Sequence, residues 1–256
     1  MVAAFRDLAA AAPLDGSRLL LDGEHLVADA RAAGLRVVTI AVTEDAVQRS
    51  PALARLVDDI QAEGADIAVV TTAVMAAMSP VRSPSGIAAI AERAPTDPAT
   101  LFQHAAALIV APTDVQDPGN VGAIVRTSEA LGATGVLVCG ASANPFSWKA
   151  LRGSMGSALR LPVVTGGAPD AVLRCARRSG LRAIASVPRG GDTPASADWS
   201  GRVVLFVGGE GPGLPEMLIR ECDVRVTIPM RYPVESLNVA VSTALLLYES
   251  QRQRAS

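Results

Sequence analysis

Residues Val203–Tyr248 read VVLFVGGEGPGLPEMLIRECDVRVTIPMRYPVESLNVAVSTALLLY. The run from Val203 to Val207 has the character of a buried strand and opens onto Gly208-Gly209-Glu210-Gly211-Pro212-Gly213. A second short apolar run ends at Ile228-Pro229, and a polar turn leads into an apolar helix that starts near Ser236. Two loops that follow strand ends, one of them rich in glycine, are suited to holding a small molecule against bare backbone. The glycine loop is not Gly-x-Gly-x-x-Gly opening a helix, and it lacks the lysine of a P-loop. A dinucleotide or nucleoside triphosphate site is therefore disfavoured.

Working outward, strands and helices alternate along the rest of the chain. The first part reads as strand 18–21, a helix from Glu24 that stops at Gly34, strand 37–42, helices 45–50 and 52–63, strand 67–71, a helical turn at 74–78 and strand 87–91. That makes a compact α/β unit, residues 1–98, closed by a linker at 94–98 in which two prolines stop regular structure. The second unit, 99–256, reads as strand 106–110, loop 112–119, helix 120–131, strand 136–139, helix 148–157, an extended piece at 161–164, helix 169–179, strand 182–187 and an open loop at 188–200. The stretch quoted above follows, and its helix closes the chain near Gln251. Such alternation implies an α/β fold with a mostly parallel sheet covered on both faces. Chain-connection rules alone predict a right-handed, unknotted, doubly wound sheet.

Half of the 256 residues are apolar, enough for a sizeable core, and the net charge is −2. Bulk charge does not advertise nucleic-acid binding, so any RNA contact must use a local basic patch. Lys149 is the only lysine among 23 basic residues. Cys139, Cys175 and Cys222 are too few and too widely spaced for a zinc site or a disulfide framework, and read as buried thiols. No metal is expected. Residues 1–18 lack the apolar core of a signal peptide, and the apolar runs at 105–111 and 239–247 are too short to span a bilayer. A soluble, cytoplasmic protein with no membrane partner is expected. Aromatic residues make up 3% of the chain, too few for a base-stacking platform. His25 and His104 fall outside every motif and read as surface or internally satisfied residues.

The motifs resemble those of SpoU/TrmH-type RNA ribose methyltransferases, of the SPOUT class. Asp117-Pro118-Gly119-Asn120-Val121-Gly122-Ala123-Ile124-Val125-Arg126-Thr127 is similar to the family's first motif. Gly-Gly-Glu-Gly-Pro-Gly-Leu at 208–214 and Ile-Pro-Met…Glu-Ser-Leu-Asn-Val-Ala-Val from 228 to 241 resemble the second and third, in the family's order. The resemblance implies a C-terminal trefoil knot, S-adenosylmethionine as cofactor, methyl transfer to a ribose 2′-hydroxyl of RNA (ribosomal RNA in preference to transfer RNA), and a homodimer. Leu21–Val27 and Ser83–Ala88 carry a weaker likeness to the family's small RNA-binding domain.

Arg126 is the sharpest candidate. Val121, Ile124, Val125, Ser128 and Leu131 share one helix face, and Arg126 lies nearly opposite. Alone it would be a solvated surface arginine; the resemblance makes it catalytic. Asn120, Glu210, Ser236 and Asn238 fall on the family's active-site positions, although Asn120 and Ser236 also read as helix N-caps. Val207, Gly208, Gly209, Gly211, Gly213, Leu214, Ile228, Pro229 and Leu237 fall on its cofactor pocket, and Arg152 and Ser154 on a segment associated with RNA contact. Two alternatives stand beside this reading: an inactive RNA-binding protein that retains the fold, and a nucleotide-dependent oxidoreductase.

Overall fold

The computed structural model describes residues 1–81 and 83–255. The first part holds α1 (Val2–Ala10), β1 (Arg18–Asp22), α2 (Glu24–Ala32), β2 (Arg36–Thr43), α3 (Glu44–Arg49), α4 (Pro51–Ala62), β3 (Asp66–Val70), α5 (Thr72–Met78) and β4 (Ile87–Glu92). Its four strands pair in the order β1-β4-β2-β3, antiparallel except for β2 with β3. Then come α6 (Pro98–Gln103), β5 (Leu108–Thr113), α7 (Pro118–Ala130), β6 (Gly135–Val138), α8 (Trp148–Ser154), α9 (Ser157–Arg160), β7 (Val163–Thr165) and α10 (Pro169–Arg178). The chain closes with β8 (Arg182–Ser186), β9 (Val203–Gly208), α11 (Glu216–Glu221), β10 (Val224–Val226) and α12 (Val239–Arg254). These strands form a parallel sheet in the order β10-β8-β9-β5-β6-β7.

Both faces of the parallel sheet are buried, as its unbroken apolar strands require. On one face Val110, Leu205 and Val207 pack with Ile124, Val125, Leu246 and Leu247. On the other Ile109, Ala111 and Phe206 pack with Leu173 and Leu218. The first cluster continues through Phe146 and Leu151 to Leu19, Leu21 and Ile40 of the four-stranded sheet. A third cluster places Trp148 against Phe5, Leu8, Leu20 and Met75. The two sheets thus meet at residues 144–160. Asn144 donates to the Ala12 carbonyl at 2.8 Å, and Arg93 lies 4.6 Å from the Phe146 ring centre while donating to the Ala158 carbonyl at 3.2 Å.

Several expectations are corrected. α1 is a helix that the composition of the N-terminus did not announce; Phe5 and Leu8 bury one face of it. β5 spans Leu108–Thr113 and so runs through Pro112, where the expectation was a strand over 106–110 and a loop from 112. The missing proline N–H costs little, because the Pro112 carbonyl still accepts from Cys139 N at 2.8 Å. Pro98 does not belong to irregular linker: it opens α6, capped by Asp97. The helix expected over 148–157 is two helices, broken where Met155 and Gly156 both take left-handed backbone. The 188–200 loop is pinned rather than open, since Trp199 is fully buried and its indole N–H donates to the Pro194 carbonyl at 2.9 Å. Cys139 and Cys222 are free and buried, and burial pushes each thiol up to about 12, which keeps them protonated and inert.

α7 and α8 approach closely through glycine. A Cβ on Gly122 would overlap the Ala150 carbonyl and come within 3.0 Å of Gly153 Cα. Gly122→Ala should therefore force the two helices apart and lower stability by about 1–3 kcal/mol in urea unfolding. Gly132→Ala, which meets open space, should lose only the cost of its positive φ.

Candidate active site

The carboxyl ends of β8 and β9 open onto a cleft of about 530 Å³, a size suited to a small-molecule ligand. Its walls are the glycine loop after β9 and the segment that enters α12. Val207, Gly208, Gly209, Glu210, Gly211, Gly213, Leu214, Ile228, Ser236, Leu237 and Asn238 all line it. Pro229 does not; it borders a neighbouring hollow of about 370 Å³ on the far side of Ile228 and Met230. Ser186, Val187 and Pro188 line the cleft without having been singled out in the sequence. Their signal was available, because ligands in parallel sheets gather at the carboxyl ends of adjacent strands.

The glycines serve two purposes. A Cβ on Gly209 would overlap the carbonyl oxygen of Asp114, and one on Gly208 would overlap the backbone of Gly213 and Leu214. At those two positions close packing of the chain by itself excludes a side chain, and both also line the cleft. Gly211 (φ 100°) and Gly213 (φ 70°) have open space around them and are there for their left-handed backbone. Asp114 is itself left-handed, at φ 57°, and its carboxylate accepts from Ala141 N at 2.7 Å. It fixes the loop after β6 while its backbone sits under Gly209.

Three separated motifs meet in one hydrogen-bond chain. The Asn120 amide donates to the Glu210 carboxylate. The Asn120 carbonyl oxygen accepts from the Asn238 amide at 3.0 Å. The Asn238 oxygen in turn accepts from Ala240 N at 2.9 Å and Val241 N at 3.3 Å, capping α12. Both capping expectations move accordingly. Asp117, followed by Pro118, caps α7 by accepting from Asn120 N at 2.9 Å, so Asn120 sits inside the first turn with its side chain free for Glu210. Asn238, not Ser236, caps α12, and Ser236 stays on the cleft wall.

Arg126 is exposed, six residues and roughly 9 Å along α7 from Asn120. Among the described residues it makes no hydrogen bond or ion pair, and it does not line the cleft. Arg152 is exposed at the end of α8. Ser154 is fully buried; its hydroxyl donates to the Leu151 carbonyl at 2.8 Å and accepts from Ala158 N at 3.4 Å. With both hydroxyl functions spent on the α8–α9 turn, Ser154 has no face for RNA. Among the described residues, no three His, Cys, Asp or Glu are grouped to hold a metal ion.

The profile of the SpoU rRNA methylase family matches residues 107–248, more than half the chain and every part of this site. The protein belongs to that family. A relative named as an uncharacterised tRNA/rRNA methyltransferase, from Synechocystis sp., is 33% identical over 242 residues, covering 93% of this chain and 85% of that one. Against a tRNA/rRNA methyltransferase of Mycobacterium sp., 40% identical over 155 residues, the match spans 48% of the relative's length. Among solved structures, the SpoU methyltransferase AviRb from Streptomyces viridochromogenes, in complex with AdoMet, is similar with a TM-score of 0.88 and 26% identity over 100% of this chain and 98% of that one. An RNA 2′-O ribose methyltransferase is similar with a TM-score of 0.78 and 28% identity, over 99% and 96% of the two chains. The α/β SPOUT architecture expected from the motifs is thus the one observed.

The cap and the inter-motif bond of Asn238 can be separated. Asn238→Asp keeps an acceptor for Ala240 and Val241 but loses the donor to Asn120, so its thermal unfolding should stay close to the parent's. Asn238→Ala should lose about 1 kcal/mol of stability by the same measurement.

Proposed function

We propose that this protein transfers the methyl group of S-adenosylmethionine to a ribose 2′-hydroxyl of RNA, ribosomal RNA in preference to transfer RNA. The observation that carries the reading is the Glu210–Asn120–Asn238 chain at the rim of a cleft walled by bare backbone. Membership of the family and the likeness to tRNA/rRNA and RNA 2′-O ribose methyltransferases support it. The cleft suits the cofactor: Val187, Val207, Leu214, Ile228 and Leu237 offer apolar surface to an adenine, and the glycine loop offers backbone groups to its polar edges.

When bound, S-adenosylmethionine supplies a methyl group already activated by its sulfonium, so the protein's own task is positioning and charge stabilisation. A ribose hydroxyl becomes a competent nucleophile only as its proton leaves, to a substrate phosphate or to water. Arg126 stabilises the negative charge growing on that oxygen. We do not assign it as the base, because a guanidinium acts as a fixed, delocalised positive charge. Glu210, held by Asn120, and Ser236 on the cleft wall orient the ribose. Arg126→Ala should leave S-adenosylmethionine affinity by calorimetry nearly unchanged while methyl transfer falls below detection; a variant with parental turnover would remove Arg126 from this role.

The same reading carries a homodimer with the active site near its interface. On α12, Val239, Leu246 and Leu247 are core, but Val241, Leu245 and Tyr248, at i, i+4 and i+7, are 49%, 45% and 62% exposed. That apolar strip is where we place the second copy. Leu245→Asp should shift the protein from dimer to monomer in sedimentation at micromolar concentration, with methyl transfer lost alongside. We assign RNA selection to residues 1–98 and catalysis to 99–256, in a cytoplasmic setting where ribosomal RNA is at hand. The trefoil knot belongs to the same reading. After the edge strand β10 the chain returns past β8 and β9 to lay α12 on α7, the route a threaded C-terminal segment takes.

A further inference from the structure

α8 presents a strip that neither the fold nor the cleft uses. Lys149 and Arg152, one turn apart, are exposed, and neither is ion-paired among the described residues. Lys149 Nζ lies 5.5 Å from the ring centre of Trp148, whose own ring is anchored on the N-terminal core, so the cation is held close to the helix. Met155 follows at the C-cap. It is 56% exposed and stands at φ 49°, a conformation that a Cβ disfavours. Glycine is required one residue later, because a Cβ at Gly156 would overlap the Asp29 carboxylate. Nothing in the fold requires a side chain at 155, where glycine would remove the strain. The methionine is exposed and belongs to none of the buried clusters among the described residues.

The place of this strip is fixed by close packing. A Cβ on Gly153 would lie 3.3 Å from the Gly119 carbonyl, so the last turn of α8 touches the first turn of α7 beside Asn120. On its other side stands the N-terminal half. Asp22, at the end of β1, accepts from Ser79 Oγ at 2.6 Å; burial raises its carboxyl, while that hydrogen bond and the nearby Arg152 charge pull it back. Lys149, Arg152 and Met155 therefore lie on the seam between the half that we assign to RNA selection and the reaction centre.

We infer that Lys149, Arg152 and Met155 form a binding subsite for the single-stranded RNA nucleotide next to the methylated ribose, the two cations on its phosphates and the methionine on the face of its base. The inference rests on the RNA reading given under Proposed function. The chemistry is complementary: phosphates meet unpaired cations, and a soft apolar side chain covers a base face without demanding one sequence. Met155 is then the residue that sets which neighbouring base is accepted.

The test uses the full chain, tritiated S-adenosylmethionine and ribosomal RNA from cells lacking the gene. Met155→Gly should fold with at least parental thermal stability and bind S-adenosylmethionine as the parent does. Its KM for RNA should rise about tenfold, with kcat held. Met155→Leu, which keeps apolar bulk, should restore most of that loss. Lys149→Gln should weaken filter binding of the RNA and reduce the slope of log affinity against log salt by about 0.7. A Met155→Gly protein with parental KM and RNA affinity overturns the subsite. So does one whose sedimentation changes while its RNA affinity does not, since the strip would then contact another protein chain. A parent protein that binds this RNA but leaves ribose unmethylated overturns the proposed reaction instead, and the binding comparison still decides the subsite.

Discussion

Two asparagine amides hold the site together. Asn120 gives its N–H to Glu210 and takes one from Asn238, which spends its own oxygen on the start of α12. These side chains come from the first turn of α7, the glycine loop after β9 and the entry to α12, segments up to 118 residues apart. Each bond is partly exposed and contributes on the order of 1 kcal/mol, little against the core. Their value is geometric, because each amide uses its nitrogen as donor and its oxygen as acceptor, so neither can flip without breaking the chain. The acid at the rim of the cleft, the helix that closes it and the helix bearing Arg126 are thereby set at fixed spacing.

Backbone contact supports that arrangement where side chains would prevent it. Gly209 rests on the Asp114 carbonyl, Gly208 on Gly213, and Gly122 on the Ala150 carbonyl. Removing the side chain at each point lets a loop or a helix approach closer than alanine allows. The glycine loop is thus pressed onto the end of β5, with Gly209 N donating to the Thr113 carbonyl at 2.8 Å. Gly208, Gly209, Gly211 and Gly213 all line the cleft, and Gly211 and Gly213 have open space where a Cβ would stand. α8 is pressed onto α7 by the same means, which carries Lys149 and Arg152 toward Asn120.

The N-terminal sheet is seated on this second contact. Trp148 and Phe146, flanking the start of α8, are packed by Leu20, Met75 and Phe5 and by the Gly16 turn, while Arg93 and Asp29 reach α9 and its neighbourhood. The segment that carries the cations is therefore buried on one side by the N-terminal half and braced on the other by α7. In the reading proposed above, an RNA held by the first half arrives at the reaction centre across α8.

The sequence by itself determined the family, the order of the three motifs, the parallel α/β architecture of residues 99–256 and the outward face of Arg126. Each is a local property: a strand period, a glycine cluster, a helical face with Val121, Ile124 and Val125 on one side. The tertiary structure decided which polar residues meet. Asn120 looked like a cap and is a bridge, because Asp117 before Pro118 had already satisfied the helix start. Ser154 fell on a segment associated with RNA contact and is spent inside a turn, because Met155 and Gly156 reverse the chain there. Residue 112 fell in the loop expected over 112–119, yet β5 continues through it to Thr113, and the Pro112 carbonyl accepts from Cys139 N. Ser186–Pro188 carried no motif and became cleft wall through the pairing of β8 with β9. Ser154 was decided by neighbours within four residues, through a backbone reversal that residue types do not announce. The bridge of Asn120 and the cleft wall at 186–188 depend on partners far away in the chain, brought close by packing that no local pattern encodes.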